Sequence, residues 1–240
     1  MKKKKEEGLV KRIGFSFHDT PEVLETILSA HPEMEFVQLQ INYADWENER
    51  VQSRRCYETA RRHGKDVIIM EPVRGGSLAQ LQPPLAAPFQ AYAPEATLAS
   101  WALRFCASLE GVIMVLSGMS AADQVEDNLK TFSPLQPLSA EERAVVEEVR
   151  EAFAKVPSIP CTRCNYCTET CPAEIPIPDI LRALNDSRIY GDAYAKKQYA
   201  NACKDKALAS ECLNCESCIY RCPQHIPITG HLREAAEKFE

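Results

Sequence analysis

Long apolar runs are missing from this chain of 240 residues. None approaches the ~20 consecutive apolar residues that a membrane-crossing helix needs, so no membrane span is expected. The N-terminus also lacks the apolar core of a secretory leader, because Lys2 to Lys5 run straight into Glu6 and Glu7. A cytoplasmic setting is the expectation. A surplus of positive charge is absent as well. The formal net charge of −6 argues against a nucleic-acid partner, and the short basic run reads as a solvated helix face. What is present is 45% hydrophobic residues, enough for one large domain or two modest ones with packed cores.

Cysteine is abundant. Eight of the eleven cysteines sit in two tight runs, CTRCNYCTETCP at 161–172 and CLNCESCIYRCP at 212–223. In a chain without an export signal, dense cysteine points to metal binding rather than disulfides. Both runs read Cys-x2-Cys-x2-Cys-x3-Cys-Pro, the spacing of two-cluster ferredoxins. Three closely spaced thiolates wrap one cubane, and the fourth cysteine of each run reaches the other. The expected sets are Cys161, Cys164, Cys167 and Cys222 for one [4Fe–4S] cluster, and Cys212, Cys215, Cys218 and Cys171 for the other. Pro172 and Pro223 help turn the chain away. Structural zinc is the rival reading, although it usually draws on two separated Cys-x2-Cys pairs.

The stretch between the runs shows helical spacing at Ile180, Leu181, Leu184, Tyr190, Tyr194, Tyr199 and Leu208. Small bacterial ferredoxins join their runs with a shorter, strand-containing piece. This layout resembles the mainly α-helical two-cluster ferredoxin-type domains fused to oxidoreductases. Cys203, outside both complete sets, reads as a core thiol.

Residues 11–156 alternate strand and helix. Strands are expected at 11–17, 36–43, 66–72 and 111–118, where β-branched and aromatic residues concentrate. Helices are expected at 19–31, with Asp19 as N-cap and Pro21 in the first turn, and at 47–64, ending on Gly64. Further helices are expected at 94–109, at 120–132, and at 139–156, where Ser139 and Glu142 form a capping box. Trp101, Phe105, Cys106 and Cys56 read as core, and His18 and Asp19 as loop and cap. Alternating strand–helix units argue a parallel α/β sheet.

The segments IGFSFHD, QLQINYAD, MEPVRGGSL and LSGMSAADQVEDN, in this order and followed by the cysteine runs, resemble the second half of an aldo/keto reductase. More narrowly, they resemble the subfamily with a C-terminal ferredoxin-type domain carrying two [4Fe–4S] clusters. The resemblance implies the second half of a (β/α)8 TIM barrel, with the four strands matching the family's fifth to eighth. It implies a half barrel over 1–135, a connecting helix over 136–157 and a 4Fe–4S ferredoxin-type domain over 158–240. Ligands of such barrels sit at the carboxyl ends of the strands.

By the same resemblance, Ser16 and Gln38 would hold the carboxamide of NAD(P)(H), Met70 would lie against the nicotinamide, and Ser117 and Gly118 would border the phosphates. Asp127 and Asn128 would stand near the adenine. The chain departs from the family at Phe17, where asparagine is usual, and at Gly118 and Gln124, where NADPH-dependent members often place Lys and Arg. Losing both cations removes the usual contacts to the 2′-phosphate. Glu71 either lines the pocket or bonds a neighbouring loop.

The family's catalytic tyrosine, Asp, Lys and His come from strands two to four, so no catalytic residue is assigned here. The chain is expected to be inactive as a reductase without an N-terminal half, and to be the C-terminal part of a longer reductase. A half barrel would need that half, or self-association, to cover its edges. The implied function is an iron–sulfur oxidoreductase with two clusters for electron transfer to a redox partner protein or carrier. The alternative is a non-catalytic ferredoxin-like carrier with a vestigial half barrel.

Overall fold

Four short runs form strands, with alternating burial along the two central ones. The computed structural model describes residues 1–49, 51–161 and 163–240. Its strands are β1 (Gly14–Ser16), β2 (Phe36–Gln40), β3 (Asp66–Met70) and β4 (Val112–Val115). They form one parallel sheet in the order β1-β2-β3-β4. Gly14 pairs with Phe36, and a Cβ at Gly14 would meet the Phe36 carbonyl oxygen at 2.3 Å, so only glycine fits there. Each strand is shorter than its sequence run. Beyond Gln40 the chain turns so that Asn42 Nδ2 can donate to Asp45 Oδ2 at 3.0 Å and to the Glu71 carbonyl at 3.1 Å.

The two faces of the sheet differ. Val37, Leu39, Val67 and Ile69 are buried, whereas Gln38, Gln40, Ile68 and Met70 on the opposite face are only half-buried. On β4, Ile113 and Met114 are exposed.

The helices here are α1 (Lys2–Glu6), α2 (Pro21–Ala30), α3 (Ser53–Arg62), α4 (Pro83–Tyr92), α5 (Leu98–Ala107), α6 (Ala122–Phe132) and α7 (Ala140–Lys155). Leu24 and Leu28 of α2, Cys56 and Ala60 of α3 and Cys106 of α5 join the buried strand residues in one core. Each fully buried Leu contributes roughly 1.5–3 kcal/mol. Lys2, Lys4 and Lys5 of the exposed α1 pair with Glu33, Glu7 and Glu35, as a solvated helix face does.

Local chemistry sets the ends of these helices. Thr20, not Asp19, is the N-cap of α2, and Asp19 Oδ1 accepts from the Thr20 N–H instead. Helix α3 starts at Ser53, later than its pattern suggests, and Arg50, inside the expected helix, lies outside the described residues. Gly64 follows α3 with φ +66°. Thr97 caps α5 by accepting from Ser100 N at 3.0 Å. The Ser139–Glu142 capping box of α7 is formed in both directions, at 3.2 and 2.8 Å. Helix α4 has no counterpart in the sequence reading. Its first-turn prolines cost no backbone bond, while Pro88 sits inside it.

The chain divides into two compact units, one made of Met1–Ala79 with Ala86–Glu151 and one of Gln80–Leu85 with Ala152–Glu240. The second is helical, with α8 (Tyr166–Glu169), α9 (Ile177–Tyr190), α10 (Asp192–Ala202), α11 (Ser217–Arg221) and α12 (Ile228–Phe239). Its core joins Ile177, Ile180, Leu181 and Leu184 to Tyr199, Ile228, Leu232 and Phe239, with Cys203 buried among them. Leu208 lies beyond α10 and is exposed, because the helical pattern stops at Ala202.

The second unit is internally duplicated. Left-handed residues Arg163, Asn165 and Glu174 recur as Asn214, Glu216 and His225. The backbone bonds Thr168 N to Asn165 O, Cys171 N to Thr168 O and Glu174 N to Cys171 O recur as Ile219 N to Glu216 O, Cys222 N to Ile219 O and His225 N to Cys222 O. Helices α8 and α9 therefore correspond to α11 and α12.

Candidate functional site

The cysteine loops owe their shape to the left-handed residues between the thiols. A non-glycine residue at positive φ is costly, and its repetition at Arg163 and Asn165, then at Asn214 and Glu216, marks both loops as over-determined by their surroundings. Each loop leads into a short helix, so that Cys167 and Cys218 are buried while Cys164 and Cys215 stay exposed.

The decisive placement concerns Cys171. It belongs to the first run by sequence, yet it lines one small pocket with Cys212, Cys215 and Cys218 of the second. Ile175, Ile177, Leu213 and Leu232 supply apolar wall. The enclosed space is about 20 Å³, and about 310 Å³ with its open mouth. Burial pushes the Cys218 thiol up to about 11, and the negative charges of Cys212, Cys167 and Cys171 act in the same direction. Burial likewise raises Cys167, assisted by Cys161 and Cys164 and opposed by the neighbouring Thr168 hydroxyl. The Ser217 backbone N–H, then its hydroxyl, holds exposed Cys215 below the ordinary thiol value.

The four thiols of this pocket, Cys171, Cys212, Cys215 and Cys218, fit an iron–sulfur group in number and chemistry. Among the described residues, no three His, Cys, Asp or Glu side chains stand close enough to hold a single metal ion. Thr162, within the first run, lies outside those residues.

A second site lies at the carboxyl ends of β3 and β4. A cleft of about 500 Å³ is lined by Met70, Glu71 and the loop through Gly75 and Gly76, by Leu116 to Met119, and by Gln124, Asp127 and Asn128 of α6. That volume is within the range of small-molecule sites. Asn128 Nδ2 donates to Ser117 Oγ at 2.9 Å, and Asp127 Oδ2 accepts from Thr97 Oγ1 at 2.7 Å. Five of the seven residues expected to hold a nucleotide line this cleft: Met70, Ser117, Gly118, Asp127 and Asn128. Ser16 and Gln38 do not line it, but they face each other in register on β1 and β2, and Gln38 Nε2 reaches Met70 Sδ at 3.5 Å.

Glu71 both lines the cleft and bonds a neighbouring loop, since its carbonyl accepts from Asn42. The Gly75–Gly76 turn, at φ +61° and +87°, was unassigned as a site. The paired glycines after a strand were the signal. Among the described residues of the lining there is no Lys or Arg, and there are two carboxylates, Glu71 and Asp127.

One chain thus joins a parallel α/β unit with a cleft at its strand ends to a helical unit with paired cysteine loops. The aldo/keto reductase family model matches residues 1–151, and a 4Fe-4S dicluster domain model matches residues 160–226. The chain belongs to the aldo/keto reductase family and carries an iron–sulfur domain of ferredoxin type.

Among solved structures, the thermostable aldo-keto reductase Tm1743, in complex with the inhibitor epalrestat, is 22% identical with a TM-score of 0.50. The match covers 62% of this chain and 52% of that one. Aldo-keto reductase AKR11C1 from Bacillus halodurans, in its holo form, is 20% identical with a TM-score of 0.47, covering 62% and 53%. An aldo-keto reductase from Klebsiella pneumoniae, in complex with NADPH, is 20% identical with a TM-score of 0.48, covering 62% and 51%. The chain spans about half the length of the solved structures it matches. No curated protein matches it. Among the described residues, no helix is long and apolar enough to cross a membrane.

Proposed function

We propose that this chain is the electron-transferring part of an iron–sulfur oxidoreductase of aldo/keto reductase type, with two [4Fe–4S] clusters. Cys161, Cys164, Cys167 and Cys222 would hold one cluster, and Cys212, Cys215, Cys218 and Cys171 the other. Bound clusters supply one-electron transfer, and a bound nicotinamide supplies hydride chemistry. The chain's own part is to gather thiolates, exclude water from the buried ones and orient the nucleotide. The observation that carries this reading is Cys171 sharing a pocket with the second run.

The four strand–helix units are read as the second half of a (β/α)8 barrel. Parallel sheets are normally covered on both faces, and here one face is half-open. An N-terminal half or a second copy would cover it, and a redox partner protein or carrier would accept the electrons. No residue here is assigned to proton transfer. The domains follow as a half barrel over 1–135, a connecting helix and a ferredoxin-type domain over 158–240, in the cytoplasm.

In the cleft, Met70, Ser117, Gly118, Asp127 and Asn128, with Ser16 and Gln38 beyond its edge, would hold NAD(H) in preference to NADP(H). The lining offers a 2′-phosphate no positive partner. The same lack of cations favours a second reading, a ferredoxin-like carrier that binds no nucleotide.

The test is anaerobic purification, iron and sulfide analysis, and EPR after dithionite reduction, beside a fluorescence titration with NADH. About eight iron and eight sulfide per chain, with a coupled reduced signal, are expected. Zinc, or a single cluster, overturns the proposal. Two clusters without NADH binding leave the carrier reading.

A further inference from the structure

We infer that Thr168 tunes one cluster alone, its hydroxyl donating a hydrogen bond to a sulfur of the group held by Cys161, Cys164, Cys167 and Cys222. The inference rests on the two-cluster reading above.

Thr168 Oγ1 is buried, lies beside the Cys167 thiol and lowers it, but makes no hydrogen bond of good geometry to any group of the described residues. A buried hydroxyl left unpaired is destabilising, so such an atom points to a group that completes it. The backbone around it is already satisfied, with Thr168 N donating to Asn165 O at 2.9 Å and Thr168 O accepting from Cys171 N at 3.2 Å. Nearby Thr170 has found a protein acceptor, because its hydroxyl donates to the Cys167 carbonyl at 3.3 Å. The immediate neighbour of Thr168 is Cys167, 7% exposed, one of the proposed ligands. The acceptors that ligation would bring to this spot are sulfurs.

A donor to a cluster sulfur favours the reduced, more negative form and so raises the reduction potential. The bond would be formed at a buried thiolate, where low local polarity strengthens it. The duplication makes it one-sided. The position corresponding to Thr168 in the second run is Ile219, which has no donor. The hydroxyl near the second run's thiols, Ser217, serves the exposed Cys215, where water competes.

The test is potentiometric titration followed by EPR on the anaerobically prepared holoprotein, with iron and sulfide measured for every variant. Thr168→Val should keep both clusters, move one midpoint to a more negative potential and leave the other in place. Thr168→Ser should behave as the parent. Ile219→Thr should move the other midpoint upward. In a Cys215→Ala background, where only the first cluster remains, Thr168→Val should still shift the single midpoint. In a Cys164→Ala background it should shift nothing. Should Thr168→Val fail to assemble a cluster, Ile219→Thr and Thr168→Ser decide. Two intact clusters with unmoved midpoints in Thr168→Val, or both midpoints moving together, overturn the inference and leave the two-cluster reading standing. A parent protein without clusters overturns that reading first, and the inference with it.

Discussion

Cys171 is the residue on which the ligand assignment can be separated from its rivals. If it serves the set of the second run, Cys171→Ala combined with Cys215→Ala should lose no more iron than either change alone, about four per chain. Cys171→Ala combined with Cys164→Ala should lose nearly all of it. Ligands kept within each run would give the opposite pattern, and iron analysis reads the difference. In the cleft, Gln124→Arg places a cation in a lining that has none. NADPH affinity should rise about tenfold relative to NADH, the worth of one charge-assisted contact, and fluorescence titration with each nucleotide checks it. The cysteine spacing was the most legible feature of the sequence. Cluster ligands need fixed spacing, and spacing is what a sequence displays. The Gly75–Gly76 turn was harder to assign, because its role depends on backbone that comes close to a ligand only once β3 and β4 lie side by side.

At the scale of elements, α5 and α7 are joined by Arg104 and Glu142, whose two hydrogen bonds measure 2.6 and 2.7 Å and are largely shielded from water. The Arg104 bond is the main reason the Glu142 carboxyl lies below its ordinary value. A lowered carboxyl stabilises the fold above the ordinary carboxylate range and loses that contribution as pH falls through the folded-state value. Glu142→Gln should cost about 1–2 kcal/mol at neutral pH. The gap to the parent should narrow on acidification, as read from denaturant midpoints across pH. Gly14→Ala drives a methyl into the Phe36 carbonyl and should cost about 1–3 kcal/mol in the same assay.

Elements were less legible than the cysteine spacing for identifiable reasons. Helix α4 hides behind its prolines, two of which stand where a helix tolerates them. Strand β2 stops before its apolar run does, because Asn42 and Asp45 pull the chain into a buried turn whose further partner, the Glu71 carbonyl, comes from a different strand end. Leu208 continued the apolar pattern but not the helix.

At the scale of the whole molecule, the two units have different sources of stability. The first has an apolar core of strands and helices, whereas the second packs Cys167, Cys203 and Cys218 into its core and sets Cys161, Cys171, Cys212 and Cys222 against it. Ligand binding to such a unit is linked to its folding. Removal of iron by a chelator should lower the melting transition of the second unit and leave that of the first in place, which calorimetry of the apo and reconstituted protein resolves. The duplication of the second unit is visible in the cysteine spacing. The sequence reading divides the chain at 136–157, whereas the joining of Gln80–Leu85 to the second unit from far away in sequence is not visible there.

The proposed exchange of Cys171 and Cys222 between the two repeats would have a mechanical side. Lys204 and Lys206 lie in an exposed turn between the repeats, open to trypsin. A cut there severs the polypeptide, but each inorganic core would still be gripped by thiolates from both fragments. The nicked protein should elute as one species while its iron is in place and fall into two pieces once the iron is stripped, with the clusters acting as rivets between chains that no longer share a backbone.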